Sequence, residues 1–574
     1  MDACSKFLWC SARRSPDGPN AEDHVTNPPE ACKVPLVVQV GFAGSRQLAD
    51  PPLAGAVREK FETDLVNTLV AQLTGLRKSL GLGPHHFFCG VSSLAAGADT
   101  IFTRACDQAN IPQRVFLPEP LDEFLGAQGS RGPDFQPQEQ DNARNLIGKP
   151  HVVEATVVTR ESGRHARFAD VNLEIAYESD CFVTLRRAGA GQQPAKPGGT
   201  ADLFEIAKRL RKPHLILEVA VEKGFPMVTA RFEEGGAFDL PSLPGELAVA
   251  PPPGSVPGPV PGPVPGPVPT LDDYTRMLKT HAVPLAKRHR RFFEWSAYVI
   301  VTAHLLATVL AVIAMMTHEV AVLKVVLSLE LLLIAGGVTV HEWVHRSHRL
   351  RRWVATRAVR ELVRSAGYFK GLQTTLGHLS TVPYPASIGL RALARTLNVL
   401  HLRDGSQVAP AGNGSSAPWQ IARDRYVDVR LCGPKPEGQI AYYRSESKRA
   451  GLIRVAAQGL FLLFSVMAFL FSWLKLEAAI TSHGHDTSLL ALFGALAIIL
   501  PAAAVAALSI AAALDLAARK QTYADMVTAL EQIAAVLADA PSERECIRLI
   551  LDAEARILGE NANWASRRAF TGNP

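Results

Sequence analysis

Residues 295–317 read WSAYVIVTAHLLATVLAVIAMMT and residues 320–340 read VAVLKVVLSLELLLIAGGVTV. Each reaches the ~20 residues that a helix needs to cross a hydrocarbon core. Polar interruptions are few: His304 in the first run, Lys324 and Glu330 in the second. A second pair follows at Val455–Leu474 and Ser488–Leu514. Runs so long and charge-poor predict four transmembrane helices rather than helices of a soluble core.

The flanks predict an orientation. Lys287, Arg288, Arg290 and Arg291 precede the first span, and Arg346, Arg349, Arg351 and Arg352 follow the second. Arg444, Lys448, Arg449 and Arg454 precede the third, and Arg519 and Lys520 follow the fourth. The connectors inside the pairs contain only Lys475. Positive-inside bias then puts both termini and the long middle segment in the cytosol of an inner (plasma) membrane protein. No cleavable signal sequence is expected, because the first residues lack a continuous apolar stretch. The cysteines at 4, 10, 32, 89, 106, 181, 432 and 546 all fall on that cytosolic side without a CxxC pair, which predicts reduced thiols.

Bulk composition hides this organisation. The chain has 574 residues, 47% hydrophobic and 20% charged, with a net charge of +6, and a mean hydropathy of +0.08. Those values exclude a disordered, collagenous or disulfide-scaffold chain, and the small charge gives no reason to expect a nucleic-acid partner.

Six segments are expected: a disordered leader (1–33), an α/β domain (34–220), a linker (221–270), a first two-span module (271–378), a cytosolic connector (379–436) and a second two-span module (437–568). The linker carries VPGP from Val256, Val260 and Val264, a semi-rigid polyproline-like tether. Residues 405–418 read as a second flexible break.

In the α/β segment, strands are predicted at Leu36–Val40, His86–Val91, Arg114–Leu117, Cys181–Leu185 and His214–Val219. The first runs into Gly41-Phe-Ala-Gly44-Ser45-Arg46, a turn whose backbone N–H groups can approach a phosphate while Arg46 adds a charge-assisted bond. The second ends in Ser92-Ser93-Leu94-Ala-Ala-Gly97-Ala98-Asp99. After the fourth, Lys196-Pro197-Gly198-Gly199-Thr200 opens a helix. Turns at the carboxyl ends of parallel strands bind ligands in open α/β sheets, and three of them point to a nucleotide-like ligand. The helix after the first turn carries Val57, Phe61, Leu65, Leu69 and Leu73 as a core-facing stripe.

The runs GFAGSR, SSLAAGAD, FLPEPLDEF and PGGTADLFE resemble the SLOG superfamily (the DNA-processing Smf/DprA and "lonely guy" proteins) over about residues 34–220. That resemblance implies a parallel, Rossmann-like sheet. "Lonely guy" phosphoribohydrolases carry PGGxGTxxE, whose glycines and threonine hold a phosphate and whose glutamate serves glycosidic chemistry. Pro197, Gly198, Gly199 and Glu205 fit, whereas Ala201 and Asp202 replace the second glycine–threonine pair. An aspartate there repels phosphate unless it reads a ribose hydroxyl. The resemblance thus implies recognition of a nucleotide or NAD-derived molecule, with Glu205 catalytic only if the domain is a hydrolase.

The lead-in Gln439-Ile-Ala-Tyr442-Tyr443-Arg444 and the late Glu560-Asn-Ala-Asn-Trp564 resemble the SLATT family, two-span modules often fused to SLOG domains. That family is predicted to supply membrane effectors in bacterial conflict systems, which implies an oligomeric sensor–effector in antiviral defence. The first pair reads as a divergent duplicate. His304 and Glu330 are costly in hydrocarbon; they either line a pore or gate or bond between helices. Pro501 is a candidate kink, and Gly336-Gly337 permits close helix packing. His341-Glu342-Trp343-Val344-His345 matches the zinc-metallopeptidase HExxH pattern, which with 17 histidines in the chain arises by chance in about one sequence in forty, so a metallopeptidase is the less favoured alternative. No metal is therefore assigned, with His341 and His345 as the candidates.

Overall fold

The computed structural model describes residues 34–570 except 127, 130–131, 134, 159–163, 190–196, 223–224, 237, 239–268, 318, 347–348, 385–389, 407–416, 436 and 482–486. The leader, the VPGP tether, Lys196 and most of the 405–418 break lie outside the described residues.

The first half is an α/β unit. Its strands are β1 (Leu36–Gly44), β2 (His86–Ser92), β3 (Gln113–Leu117), a two-residue hairpin β4 (Gln128–Gly129) and β5 (Gly132–Pro133), β6 (Val152–Val157), β7 (Cys181–Arg187), β8 (His214–Glu222) and β9 (Phe225–Glu233). Seven of them form one sheet in the order β6-β3-β2-β1-β7-β8-β9. All neighbours in it are parallel except β8 and β9. The helices are α1 (Gly55–Ser79), α2 (Ala98–Gln108), α3 (Leu121–Gly126), α4 (Pro137–Ile147), α5 (Arg164–Glu178) and α6 (Thr200–Arg209).

Two strands extend the sequence reading. β6 hides behind its charge: Glu154 is buried because it pairs with Arg114 of the neighbouring β3. β9 lies in the stretch expected to be linker, and the sheet therefore runs past residue 220. It carries Pro226 and alternates little, as an edge strand can. The α1 stripe begins at Phe61; Val57, in the first turn, is exposed.

Successive side chains of a strand point to opposite faces, and a parallel sheet needs cover on both. Val38, Val40 and Phe42 pack beneath α1 and α2 with Leu65, Leu69, Ile101 and Phe102. On the opposite face Ala43 meets Val171 and Ile175 of α5 and Leu203 of α6. Val37, Phe87 and Cys89 share that face, yet their cover comes from the second half of the chain.

That half is helical: α7 (Leu271–Met316), α8 (Val320–Arg346), α9 (Arg349–Tyr368), α10 (His378–Thr381), α11 (Leu390–Ser406), α12 (Pro418–Arg425), a π-helical turn at Tyr426–Leu431, α13 (Gln439–Thr481), α14 (Thr487–Ala513), α15 (Leu516–Ala538) and α16 (Glu543–Phe570). The segment expected as a connector contributes α11, which lies against β1 and β6. Thr396 Oγ1 accepts from Val37 N at 2.9 Å. Asp180 accepts from Gln39 N at 2.9 Å through one oxygen and pairs with Arg395 through the other. Tyr274, at the start of α7, donates to Pro35 O at 2.7 Å.

Four helical stretches, in α7, α8, α13 and α14–α15, are long and apolar enough to cross a membrane. Their outward side chains are bare: Leu331 is 68% exposed and Phe469 72%. Apolar surface on this scale belongs in lipid rather than water, so the protein associates with a membrane. α14 continues through Pro501. Gly337 lets α8 approach α7 closely, since a Cβ there would lie 2.9 Å from the His304 ring.

The two span pairs share a plan. A helix of 46 residues (α7) or 43 (α13) is followed by one of 27 (α8, α14) and then by one of 20 (α9) or 23 (α15). In each set the third helix packs back on the first. Where α16 packs against α9 and the π-helical turn, charged groups are buried. Arg430 donates to Glu554 at 2.9 and 3.0 Å, both side chains fully buried, and Tyr426 adds a bond to the same carboxylate at 2.9 Å. Arg357 pairs with Glu560 at 3.2 Å and lies 4.2 Å from the Trp564 ring, which meets Trp353 edge-on. Tyr443 closes on Glu560 at 3.5 Å. The Tyr442-Tyr443 lead and the Glu560-x-x-x-Trp564 motif thus meet in one buried cluster.

Removing one partner of a buried pair leaves an uncompensated charge. Arg430→Met is therefore expected to cost about 3–5 kcal/mol in denaturant unfolding of the detergent-solubilised chain, and Arg556→Met, on an exposed pair, under about 0.5 kcal/mol. Burial alone would raise the Glu554 carboxyl, but Arg430 and the hydrogen bonds hold it below its ordinary range. This contribution is present above the ordinary glutamate range and is lost as pH falls through the folded value. Equal stability of the two variants would contradict it.

Candidate functional site

The chain builds outward from β1 through β2, β3 and β6 on one side, then crosses back to β7, β8 and β9 on the other. The order reverses between β1 and β7, and crevices form outside the carboxyl ends of strands at such a point. Gly44 of β1 stands opposite Leu185 of β7 there. α2 and α6 both begin beside it, turning two helix N-termini toward one place.

Three predicted turns converge on this crevice. Ser45 N donates to Leu185 O at 3.0 Å, and Ala98 N donates to Ser45 O at 3.2 Å. Thr200 Oγ1 donates to Gly44 O at 2.6 Å, tying the start of α6 to the end of β1. The close approach needs bare backbone. A Cβ on Gly44 would lie 2.2 Å from that of Ala98, and one on Gly97, whose φ is +95°, would lie 2.2 Å from Arg46 O. Gly41 is set deeper, inside β1 against Phe182 and Ser179. Ser92 is not brought to the crevice: it is fully buried, donating to Ser93 O at 2.7 Å and accepting from Gln113 at 2.8 Å.

Asp202 closes its own turn. Its Oδ2 accepts from Gly198 N at 2.9 Å and from Asn172 Nδ2 at 3.0 Å, while Asn172 also donates to Gly199 O at 3.1 Å. That carboxylate oxygen is an internal cap of the Pro197–Thr200 turn, a role not anticipated from the sequence. Glu205 follows one turn along α6, half-buried.

Electrostatically the crevice is mixed. Arg46 is exposed at its rim. Asp99 is buried, and burial pushes its carboxyl up to about 7 against the opposing pull of the Ala95 N–H bond and the Arg46 charge. At the end of β3, Glu119 Oε2 accepts from Arg167 at 3.0 Å, whereas its Oε1 is buried without a partner among the described residues. Glu119, Arg167 and Asn172 escaped the sequence reading. A glutamate between Pro118 and Pro120 at a strand end was a usable signal, but nothing local marks Arg167 or Asn172. Arg46 and the two helix N-termini can attract an anionic moiety here, whereas Glu119 opposes one.

The other candidates lie apart. His304 bonds its own helix, Nδ1 to Ile300 O at 2.7 Å, and Glu330 is half-buried on α8. His341 and His345 end α8, where Glu342 forms an exposed pair with Arg346 at 2.6 Å. Among the described residues no three His, Cys, Asp or Glu side chains are grouped to hold a metal.

Two predictions follow from this geometry. Gly97→Ala is expected to destabilise by at least about 1–3 kcal/mol, because it combines left-handed strain with a backbone clash. Gly55→Ala, at φ +58° in open space, should cost only the strain of about 1–2 kcal/mol. Chemical denaturation of both variants checks the difference. Because the folded Asp99 pKa lies above its unfolded value, its contribution is complete at acid pH and is lost as pH rises toward about 7. Asp99→Asn should flatten the stability profile between pH 4 and about 7; an unchanged slope would show that Asp99 is ionised in the fold.

Compared with family models, curated proteins and solved structures, the chain matches none.

Proposed function

We propose that this protein is a membrane-embedded sensor–effector. Its α/β unit, read as a Rossmann-like SLOG domain, takes a nucleotide or NAD-derived signal at the β1/β7 crevice. Its four spans, read as two SLATT-like modules in a homo-oligomer with both termini on the cytosolic face of an inner membrane, respond by permeabilising the bilayer. Bacterial antiviral defence is the setting that this combination suits.

The observation that carries the reading is the attachment of β1 at both ends. Its carboxyl end forms the crevice with Thr200 and Ala98; at its amino end Pro35 is bonded to α7 and Val37 to α11, and Gln39 is linked to α11 by way of Asp180 and Arg395. α7 then runs without a break for 46 residues, roughly 70 Å. That is over twice the ~30 Å of a hydrocarbon core. Movement of β1 on ligand binding is thereby delivered to a rod that enters the membrane. Coupling of this kind requires the ligand to bind one arrangement of the spans more tightly than the other.

The full chain in dye-loaded liposomes tests this, with a panel of nucleotides whose binding is measured in parallel. Arg46→Ala is expected to weaken nucleotide binding about tenfold, the loss of one charge-assisted bond. Arg395→Met should leave binding intact and reduce release, because it cuts the Asp180 link to α11. Nucleotides that bind without releasing dye would defeat the effector role, and absence of binding would defeat the sensor role. Glu205→Ala distinguishes a tethered glycosidic hydrolase, in which binding persists while nucleotide turnover stops.

A further inference from the structure

An open cleft, ≈ 380 Å³ when the solvent at its mouth is counted, lies where α7, α13 and the α14–α15 junction come together. Three arginines line it, one from each element: Arg290, Arg449 and Arg519. Two carboxylates are also present. Both serve Arg290, Glu294 at 2.8 Å and Glu446 at 3.3 Å. The side chains of Arg449 and Arg519 make no hydrogen bond or ion pair among the described residues, and the Arg519 Nε is buried and unsatisfied. With three arginines against two carboxylates the lining carries a net positive charge, and the two guanidinium groups that neither carboxylate pairs with face one cavity whose remaining walls include Ile453 and Leu514.

Position sharpens the chemistry. Arg290 precedes the apolar run that starts at Trp295, Arg449 precedes the one at Val455, and Arg519 follows the one ending at Leu514. At about 1.5 Å per residue, each arginine sits within roughly 9 Å of a span end along its helix, the depth of the headgroup layer. Tyr298, also in the wall and 42% exposed, has the amphipathic ring that favours this layer. Guanidinium groups with a free Nε are suited to phosphate oxygens, which they bind in a forked geometry.

We propose that this cleft is a phosphate-binding site at the membrane surface, holding an anionic group across both two-span modules. The phosphate comes either from the headgroup of an anionic phospholipid or from a soluble phosphate ester. The site rests on the spans entering a bilayer and is independent of what the β1/β7 crevice takes. Because its walls come from both modules, an occupied cleft fixes α7 against α13.

The test uses thermal unfolding of the full chain in a neutral detergent, titrated with phosphatidylglycerol, phosphatidylcholine or inorganic pyrophosphate. Phosphatidylglycerol is expected to raise the midpoint while phosphatidylcholine does not, and Arg449→Gln with Arg519→Gln should raise the half-saturating concentration at least tenfold. A response to pyrophosphate with the same loss assigns the soluble source instead, and equally supports the site. Arg449→Gln alone alters an exposed residue, keeps the fold, and should still weaken the response measurably. The control removes the same charge outside the cleft, at Lys448 and Lys520. No stabilisation by either anion, or equal weakening in cleft and control variants, would overturn the proposal.

Discussion

A half-covered sheet face is the constraint on which this molecule depends. α5 and α6 shield the carboxyl half of β1, but Val37, Phe87 and Cys89 have no helix of their own. α11 and the start of α7 supply it, and the contact is directional as well as apolar, because Asp180 joins the β1 backbone to Arg395. Neither half of the chain closes its own core. The long proline-rich segment between them joins parts that are already packed together, so it sets no mechanical independence between the sheet and the spans.

Polar burial gives the helical half its definition. Apolar spans slide readily over one another, since lipid and leucine are equally apolar and give little preference for one register. Beneath them, Arg430 with Glu554 and Arg357 with Glu560 require particular helices to meet at particular levels. Such pairs add little net stability compared with apolar packing, yet a mismatched register would strand a charge. Arg430 ties the π-helical turn to α16 and Arg357 ties α9 to α16, so α16 is the strut that fixes the first helical set against the second. The three-arginine cleft opens elsewhere, between α7, α13 and the α14–α15 junction.

Much of this was legible in the sequence, and the failures have physical causes. The four long apolar helices announced themselves through length and composition alone, with no need of a distant partner. β1, β2 and β7 showed as continuous apolar runs because both their faces are buried. β6 was hidden by a glutamate that only a distant arginine makes tolerable, and β9 by a proline that only an edge permits. α11 read as part of a connector, since nothing local reveals that Arg395 will find Asp180. At the crevice, the glycines and Thr200 were visible as turn chemistry. The true position of Ser92 and the capping role of Asp202 depend on Gln113 and Asn172, which lie elsewhere in the chain.

The sheet also limits how copies of this chain assemble. Its outer strand β9 offers an unpaired backbone edge, the usual template for joining one sheet to another. Pro226 removes a donor from that strand, and Arg231 and Glu233 near its end form a solvated pair. Such features discourage strand addition. At the other border, β6 lies against α4 and α11. A growing cross-molecular sheet is therefore disfavoured at both borders, and the bare apolar flanks of the spans remain as the surface through which neighbours in the same lipid plane can meet. Any ring or cluster would take its symmetry axis along the membrane normal.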